Sequence, residues 1–194
     1  MLPAFALAFG VAGASAHAAD PVFEFYNAIL DHYFLTISAT EADTIDRGEA
    51  GPGWHRTARV FGAHADAASA PPAAVPVCRF YGNVAHGGPN SHFYTADPQE
   101  CAAVQQDPGW RFEGIAFHAR LPVAGACPTG TVPVMRNYNQ RFAQGDSNHR
   151  YTTDADLHAE MTAIGWAAEG TVICGDAAIA TPARPNVKRR LNLH

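Results

Sequence analysis

Apolar and polar residues alternate along three short stretches of this chain, and each stretch opens a longer pattern that is written three times. "FEFYN" (Phe23–Asn27), "VCRFYGN" (Val77–Asn83) and "VMRNYN" (Val134–Asn139) are rich in Phe, Tyr and Val with a two-residue period, so each predicts a β-strand. A polar loop of variable length follows: "AILD", "VAHGGPNS" or "QRFAQGDSN". Then comes a second aromatic, β-branched run, "HYFLT", "HFYTA" or "HRYTT", and the pair predicts a hairpin. Each hairpin leads into a helix start. Ser38-Ala39-Thr40-Glu41 and Asp97-Pro98-Gln99-Glu100 place a short oxygen side chain three residues before a Glu, the capping-box pattern, with Pro98 at the first helical position. Thr153-Asp154-Ala155-Asp156 is a weaker version. Glycine ends each short helix in "RGEAGPG", "QDPG" or "IG". A third strand then begins at tryptophan: "WHRTARVF", "WRFEGIAFHA" or "WAAEGTVIC".

The three tryptophans, Trp54, Trp110 and Trp166, are spaced by 56 residues each time (110 − 54 and 166 − 110). The chain therefore reads as three copies of a strand–strand–helix–strand unit, at about 22–64, 76–119 and 132–175. The joints "GAHADAASAPPAAVP" and "RLPVAGACPTGTVP" are rich in Ala, Pro and Gly and read as linkers. A lone hairpin with one helix buries too little apolar surface to stand alone. The expected fold is α+β and β-rich, with the three pseudo-equivalent units packed into one compact body around an approximate three-fold axis. That body is a single domain over 20–175.

Of the 194 residues 47% are hydrophobic and 16% charged, with a net charge of -5, which argues against nucleic acid as a partner. The body of the chain has no apolar run long enough to span a membrane. "MLPAFALAFGVAGASAHAA" is small and apolar and ends in overlapping Ala-x-Ala triplets, so residues 1–19 read as a secretory signal peptide, although no Lys or Arg precedes the apolar run. The mature chain is then expected to be secreted or periplasmic, and monomeric. Residues 176–194, with Lys188, Arg189 and Arg190, read as a disordered basic tail.

Four cysteines, none in a CxxC pair, fit disulfides better than zinc, and four allow three connectivities. The units favour Cys78–Cys101, strand to helix within the second, and Cys127–Cys174, closing the third. No cofactor and no metal site are expected.

"FYNAILDHYFLT", "GPNSHFYTADPQECAAVQQDPGWRFEGIAFHA" and "GWAAEGTVIC" resemble the DUF5648 repeat, a domain of unknown function found in secreted and cell-envelope bacterial proteins. The resemblance covers about 22–175 and implies an extracellular, β-rich repeat module. The first unit departs most: it has Leu35 where the others have Tyr94 and Tyr151, and it inserts "GEAGPG" before its tryptophan.

Three chemistries are worth naming. His32, His92 and His149 each open a second strand, but alignment on Thr36, Thr95 and Thr152 puts His32 one residue out of step, which argues against a shared metal site. Glu113 and Glu169 hold matching places three residues after Trp110 and Trp166, and a glycosidase needs two facing carboxylates. Thr57 takes that place in the first unit, so a catalytic pair competes with a structural job for both acids. The density of aromatics suits glycan binding, with tyrosine faces for sugar rings and Asn and His for directed hydrogen bonds; the tryptophans are assigned to the core. Candidate ligand-binding residues are Tyr81, Asn83, His92, Tyr94, Asn139, His149 and Tyr151. The sequence thus points to a secreted, non-catalytic module for glycan or another cell-envelope component, with a hydrolase using the paired glutamates and a structural or adhesive spacer as alternatives.

Overall fold

The structure, a computed structural model, describes residues 18–177. The expected signal peptide and basic tail lie almost wholly outside the described residues. Within them the chain is a β-rich α+β fold of one antiparallel sheet and three helices. Three ladders make up the sheet. In the first, β1 (Asp20–Asn27) lies between β2 (His32–Thr36) and β3 (Trp54–Ala63), with α1 (Ala39–Asp46) between β2 and β3 in sequence. In the second, β4 (Ala74–Gly82) lies between β5 (His92–Thr95) and β6 (Trp110–Arg120), with α2 (Pro98–Val104). In the third, β7 (Thr131–Tyr138) lies between β8 (His149–Thr152) and β9 (Ala167–Asp176), with α3 (Ala155–Ala163). The ladders meet where their third strands end, through Gly62 against Asp176, Arg120 against Cys174 and an isolated bridge of His64 to His118. The outer parts of both expected linkers are therefore strand.

One oxygen side chain sets each helix start. Ser38 accepts from the Glu41 N–H, Asp97 from Gln99 and Glu100, and Asp154 from Asp156 and Leu157. The capping box is only half made. The cap residue's own N–H is taken by the hydroxyl of the threonine two residues earlier: Ser38 to Thr36 at 3.0 Å, Asp97 to Thr95 at 3.1 Å and Asp154 to Thr152 at 3.1 Å. The carboxylates of Glu41 and Glu100 are thereby released and turn to arginines of the following ladder.

All three ladders contribute to the main core. Val22, Val77 and Val134 are buried to 1% exposure or less, and Phe61, Phe117 and Ile173, each 56 residues from the next (117 − 61 and 173 − 117), are buried to 4% or less. Tyr94 and Tyr151 are buried in the same cluster. The Tyr94 hydroxyl accepts from the Leu35 N–H at 3.1 Å and donates to the Leu35 carbonyl at 2.7 Å, and the Tyr151 hydroxyl does the same to Tyr94 at 2.9 and 2.6 Å. Each phenol thus satisfies the inner backbone edge of the preceding ladder's second strand, which apolar packing alone would leave costly. A smaller cluster of Cys78, Phe80, Phe93 and Cys101 sits under α2. The disulfides are Cys78–Cys101, with Cα atoms 6.1 Å apart, and Cys127–Cys174, at 5.5 Å. The tryptophans were expected in the core, but all three are only half-buried: Trp54 packs against the main cluster, Trp110 against the smaller one and Trp166 edge-on to Tyr33.

At the end of the body away from the chain termini the three hairpin loops interlock. The His32 ring reaches the Asn90 carbonyl and an Asp146 carboxylate oxygen, each at 2.6 Å, and Asn148 donates to the Asp31 carbonyl at 2.9 Å. At the opposite end Asp20 pairs with Ala63 and Asp176 with Gly62, so the two ends of the described chain are adjacent.

Candidate functional site

Two β-bulges carry the acids that the sequence singled out. In β6 the register against β4 skips Glu113, and in β9 the register against β7 skips Glu169. The following glycines, Gly114 and Gly170, have φ of 118° and 74°, a conformation that other residues adopt only with strain. Each bulge swings its carboxylate onto the arginine of the central strand: Glu113 to the Arg79 Nε at 3.0 Å, and Glu169 to the Arg136 Nε at 2.6 Å. The same arginines reach back to the helix of the preceding ladder, Arg79 to Glu41 at 3.0 Å and Arg136 to Glu100 at 3.0 Å. At the third junction the charges are exchanged. Glu24, in the place of Arg79 and Arg136, is 2% exposed, receives Arg150 at 2.9 and 3.1 Å and accepts from the Thr57 hydroxyl at 2.7 Å.

The junction of the first and second ladders holds an open cleft of about 650 Å³. That is within the range of sites for small ligands. It is lined from the first ladder by Glu41, Thr44 and Ile45 of α1, by Trp54 and by Ala50 and Pro52 of the "GEAGPG" insertion, and from the second by Arg79, Tyr81, His92 and Glu113. Asn27, 2% exposed, fixes that insertion by donating to the Pro52 carbonyl at 3.1 Å while accepting from the Ile29 N–H at 2.9 Å. The Tyr81 ring lies 4.9 Å from the His92 ring, and its hydroxyl donates to the Asn90 side chain, which also lines the cleft. His92, Arg79 and Arg111 together hold the Glu113 carboxyl down at about 2, the hydrogen bond from His92 being the largest influence.

Of the seven residues expected to bind ligand, two line this cleft, Tyr81 and His92. Tyr94 and Tyr151 face the interior with their hydroxyls committed to backbone. Asn139 is 7% exposed and holds its own loop through the Asp146 carbonyl and the Asn148 N–H. Asn83 shapes the β4–β5 loop through its backbone, with its carbonyl accepting from His86 and Gly88. His149 is enclosed at the next junction, stacked on Tyr138 at 4.7 Å. Burial, with Arg136 beside it, pushes its imidazole down to about 3; the Glu169 carboxylate at 3.7 Å does not reverse this because it is spent on Arg136. His32, His92 and His149 therefore occupy three separate settings, and among the described residues no group of three or more His, Cys, Asp or Glu is placed to hold a metal ion. Glu113 lines the cleft and Glu169 does not. Arg79, Glu41 and Trp54 were not anticipated as site residues. Arg79 stood in the middle of a strand, Glu41 in a cap pattern and Trp54 in the presumed core.

A family model described as "Domain of unknown function (DUF5648)" matches residues 6–120 and again 52–176. The chain belongs to the DUF5648 family. Neither the comparison with curated proteins nor that with solved structures gives a match. In this DUF5648 chain no helix among the described residues is long and apolar enough to cross a membrane. The two disulfides are compatible with an extracellular protein.

Proposed function

We propose that this DUF5648 chain is a secreted, non-catalytic binding module that holds a glycan or another cell-envelope component in the cleft between its first two ladders. The observation that carries the reading is the composition of that cleft: the rings of Trp54 from the first ladder and Tyr81 from the second line it together with the polar side chains of Asn90, Arg79 and Glu41. This is the combination a sugar ring needs, a flat apolar face and a hydroxylated edge. A hydrolase is less well supported. A carboxyl held at about 2 is ionised at every ordinary working pH, so Glu113 has no proton to give a leaving group.

The architecture behind this reading is three copies of one unit closed around an approximate three-fold axis. The order strand–strand–helix–strand recurs three times, and each ladder contacts the next through its central-strand residue: Arg79, Arg136 and Glu24. The two family matches overlap over 52–120 and end 56 residues apart (176 − 120), the tryptophan spacing. The cysteines and the apolar leader support export.

The test is retention of residues 20–177 on insoluble polysaccharides and on peptidoglycan sacculi. Binding is expected, with loss in Trp54→Ala and Tyr81→Ala but not in Phe142→Ala, an exposed ring outside the cleft. A protein that none of these materials retains would leave the spacer reading in its place.

A further inference from the structure

The two junction arginines are matched in position but not in occupancy. Arg136 uses all three nitrogens: Nε on Glu169 at 2.6 Å, Nη1 on Glu100 at 3.0 Å and the Tyr94 carbonyl at 3.5 Å, and Nη2 on Glu100 at 3.1 Å. Its side chain is 8% exposed. Arg79 uses Nε on Glu113 at 3.0 Å and Nη1 on both Glu41 oxygens at 3.2 and 3.0 Å. Its Nη2 has no hydrogen-bond partner among the described residues, and its side chain, 22% exposed, lines the cleft. A guanidinium presents its five donors in a fixed plane, so the unused edge has a set direction beside the Glu41 carboxylate. That carboxylate is itself 35% exposed and among the described residues accepts only from Arg79, which leaves it acceptor capacity; it lines both this cleft and a smaller recess beside Gly114.

We propose that the cleft takes a neutral, hydroxyl-bearing sugar ring, gripped at two neighbouring hydroxyls by the free edge of Arg79 and the carboxylate of Glu41. This rests on the cleft being the binding site. One hydroxyl accepts from Arg79 Nη2 and its neighbour donates to Glu41, while Trp54 and Tyr81 take the apolar faces of the ring. A donor and an acceptor side by side match a diol. They do not match a carboxylate, which only accepts, or an ammonium, which only donates. The charges around the cleft lead to the same class. Arg79 and Arg111, the latter 5.4 Å over the Tyr81 ring, are balanced by Glu41 and Glu113. A uronate that pairs with the free edge of Arg79 also meets Glu41 and Glu113, and an amino sugar that pairs with Glu41 also meets Arg79 and Arg111, so neither charge finds a net opposite field to offset its desolvation.

The experiment titrates the chain with short neutral oligosaccharides (cello-, manno- and N-acetylchito-), with oligogalacturonate and with chitosan oligomers, following tryptophan fluorescence and calorimetric heat. One neutral series is expected to bind, with both charged series at least about tenfold weaker. Arg79→Lys, which keeps the charge and loses the planar edge, is expected to weaken that series about tenfold, and Trp54→Ala to abolish it. Charged oligomers that bind as tightly as the best neutral one would overturn the inference. So would an Arg79→Lys protein of unchanged affinity whose binding still depends on Trp54. In both cases the cleft would stand as the site. If no oligosaccharide binds, or binding survives Trp54→Ala, the cleft reading and the inference fall together. The charge preference is measured on the unaltered chain, so it does not depend on either variant folding.

Discussion

At the junction of the second and third ladders, Arg136 is sealed beneath Phe93, whose ring lies 5.0 Å away, and Trp110 leans on the same ring at 5.8 Å. The Cys78–Cys101 disulfide ties α2 to β4 beside it. At the junction of the first and second ladders the same arginine–glutamate lock is present, but α1 carries no disulfide, and a glycine-rich extension separates it from Trp54. The first junction stays open and the second is shut. The polar lock therefore joins ladders in either case, and the apolar filling around it decides whether there is room for anything else.

The third junction offers the strongest way to break that comparison. Glu24→Arg would make all three central strands alike at this position, so a reader of aligned sequence would expect little effect. The introduced guanidinium would face Arg150, and the helix position that holds Glu41 and Glu100 elsewhere is Leu157. Two buried cations without an acid are expected to cost more than about 4 kcal/mol, measured by urea unfolding. Next comes the direct contrast between the other two locks. Arg136→Leu removes a guanidinium that is 8% exposed and bonded through all three nitrogens, while its partners Glu100 and Glu169 stay partly solvated, and is expected to cost about 2–3 kcal/mol. Arg79→Leu removes a guanidinium that is 22% exposed and uses fewer of its donors, and should cost no more than about 1–2 kcal/mol. Equal losses would mean that the cleft is not open in solution.

Acid should separate the junctions by pH. His149 has its folded value pushed down to about 3, so the unfolded chain binds the extra proton first, and stability falls as pH drops below about 6.5. The expected slope from this group is about 1.4 kcal/mol per pH unit, and His149→Phe should remove it. Glu113, also pushed down to about 2, has the opposite chemistry but the same sign: its contribution is complete above the ordinary carboxyl range and is lost only as pH falls from about 4.5 toward 2. Unfolding curves from pH 7 to 3 should therefore show the closed junction yielding first. The smallest effect tests what the ladders share. Thr36→Val, Thr95→Val and Thr152→Val each remove the acceptor of a helix-cap N–H, and each is expected to cost about 1 kcal/mol. A large spread among the three would show that the helix starts are less alike than their hydrogen bonds.

Much of this molecule was legible before its structure. Period-two runs, cap residues and tryptophan spacing located nine strands and three helices, because those signals are local. The disulfides followed once each cysteine had a place in a unit. The cleft was not legible, because its lining comes from two different units, with Trp54 and Tyr81 27 positions apart (81 − 54), and its room comes from an insertion that marked the first unit as the most divergent. Glu41 was misread because a cap pattern states where a carboxylate starts and not which partner it chooses. Tyr94 and Tyr151 were misplaced for a similar reason: strand alternation separates two faces but does not say which one meets the centre of a closed body. The exchange of charge at Glu24 could be seen only after Arg150 of the last ladder was known to touch it.

The adjacency of Asp20 and Asp176 has a consequence for how such a body can be used. Gly62 lies between them, close enough that a side chain there would press on Ala19 and Asp176 at about 3.0 and 3.1 Å. A short peptide would join the two ends, and new termini opened in the exposed 66–69 turn should give a circular permutant with the same topology. By the same geometry the domain could be spliced whole into a surface loop of an unrelated host. The interlocked loops would then point away from the graft, leaving the cleft accessible beside them.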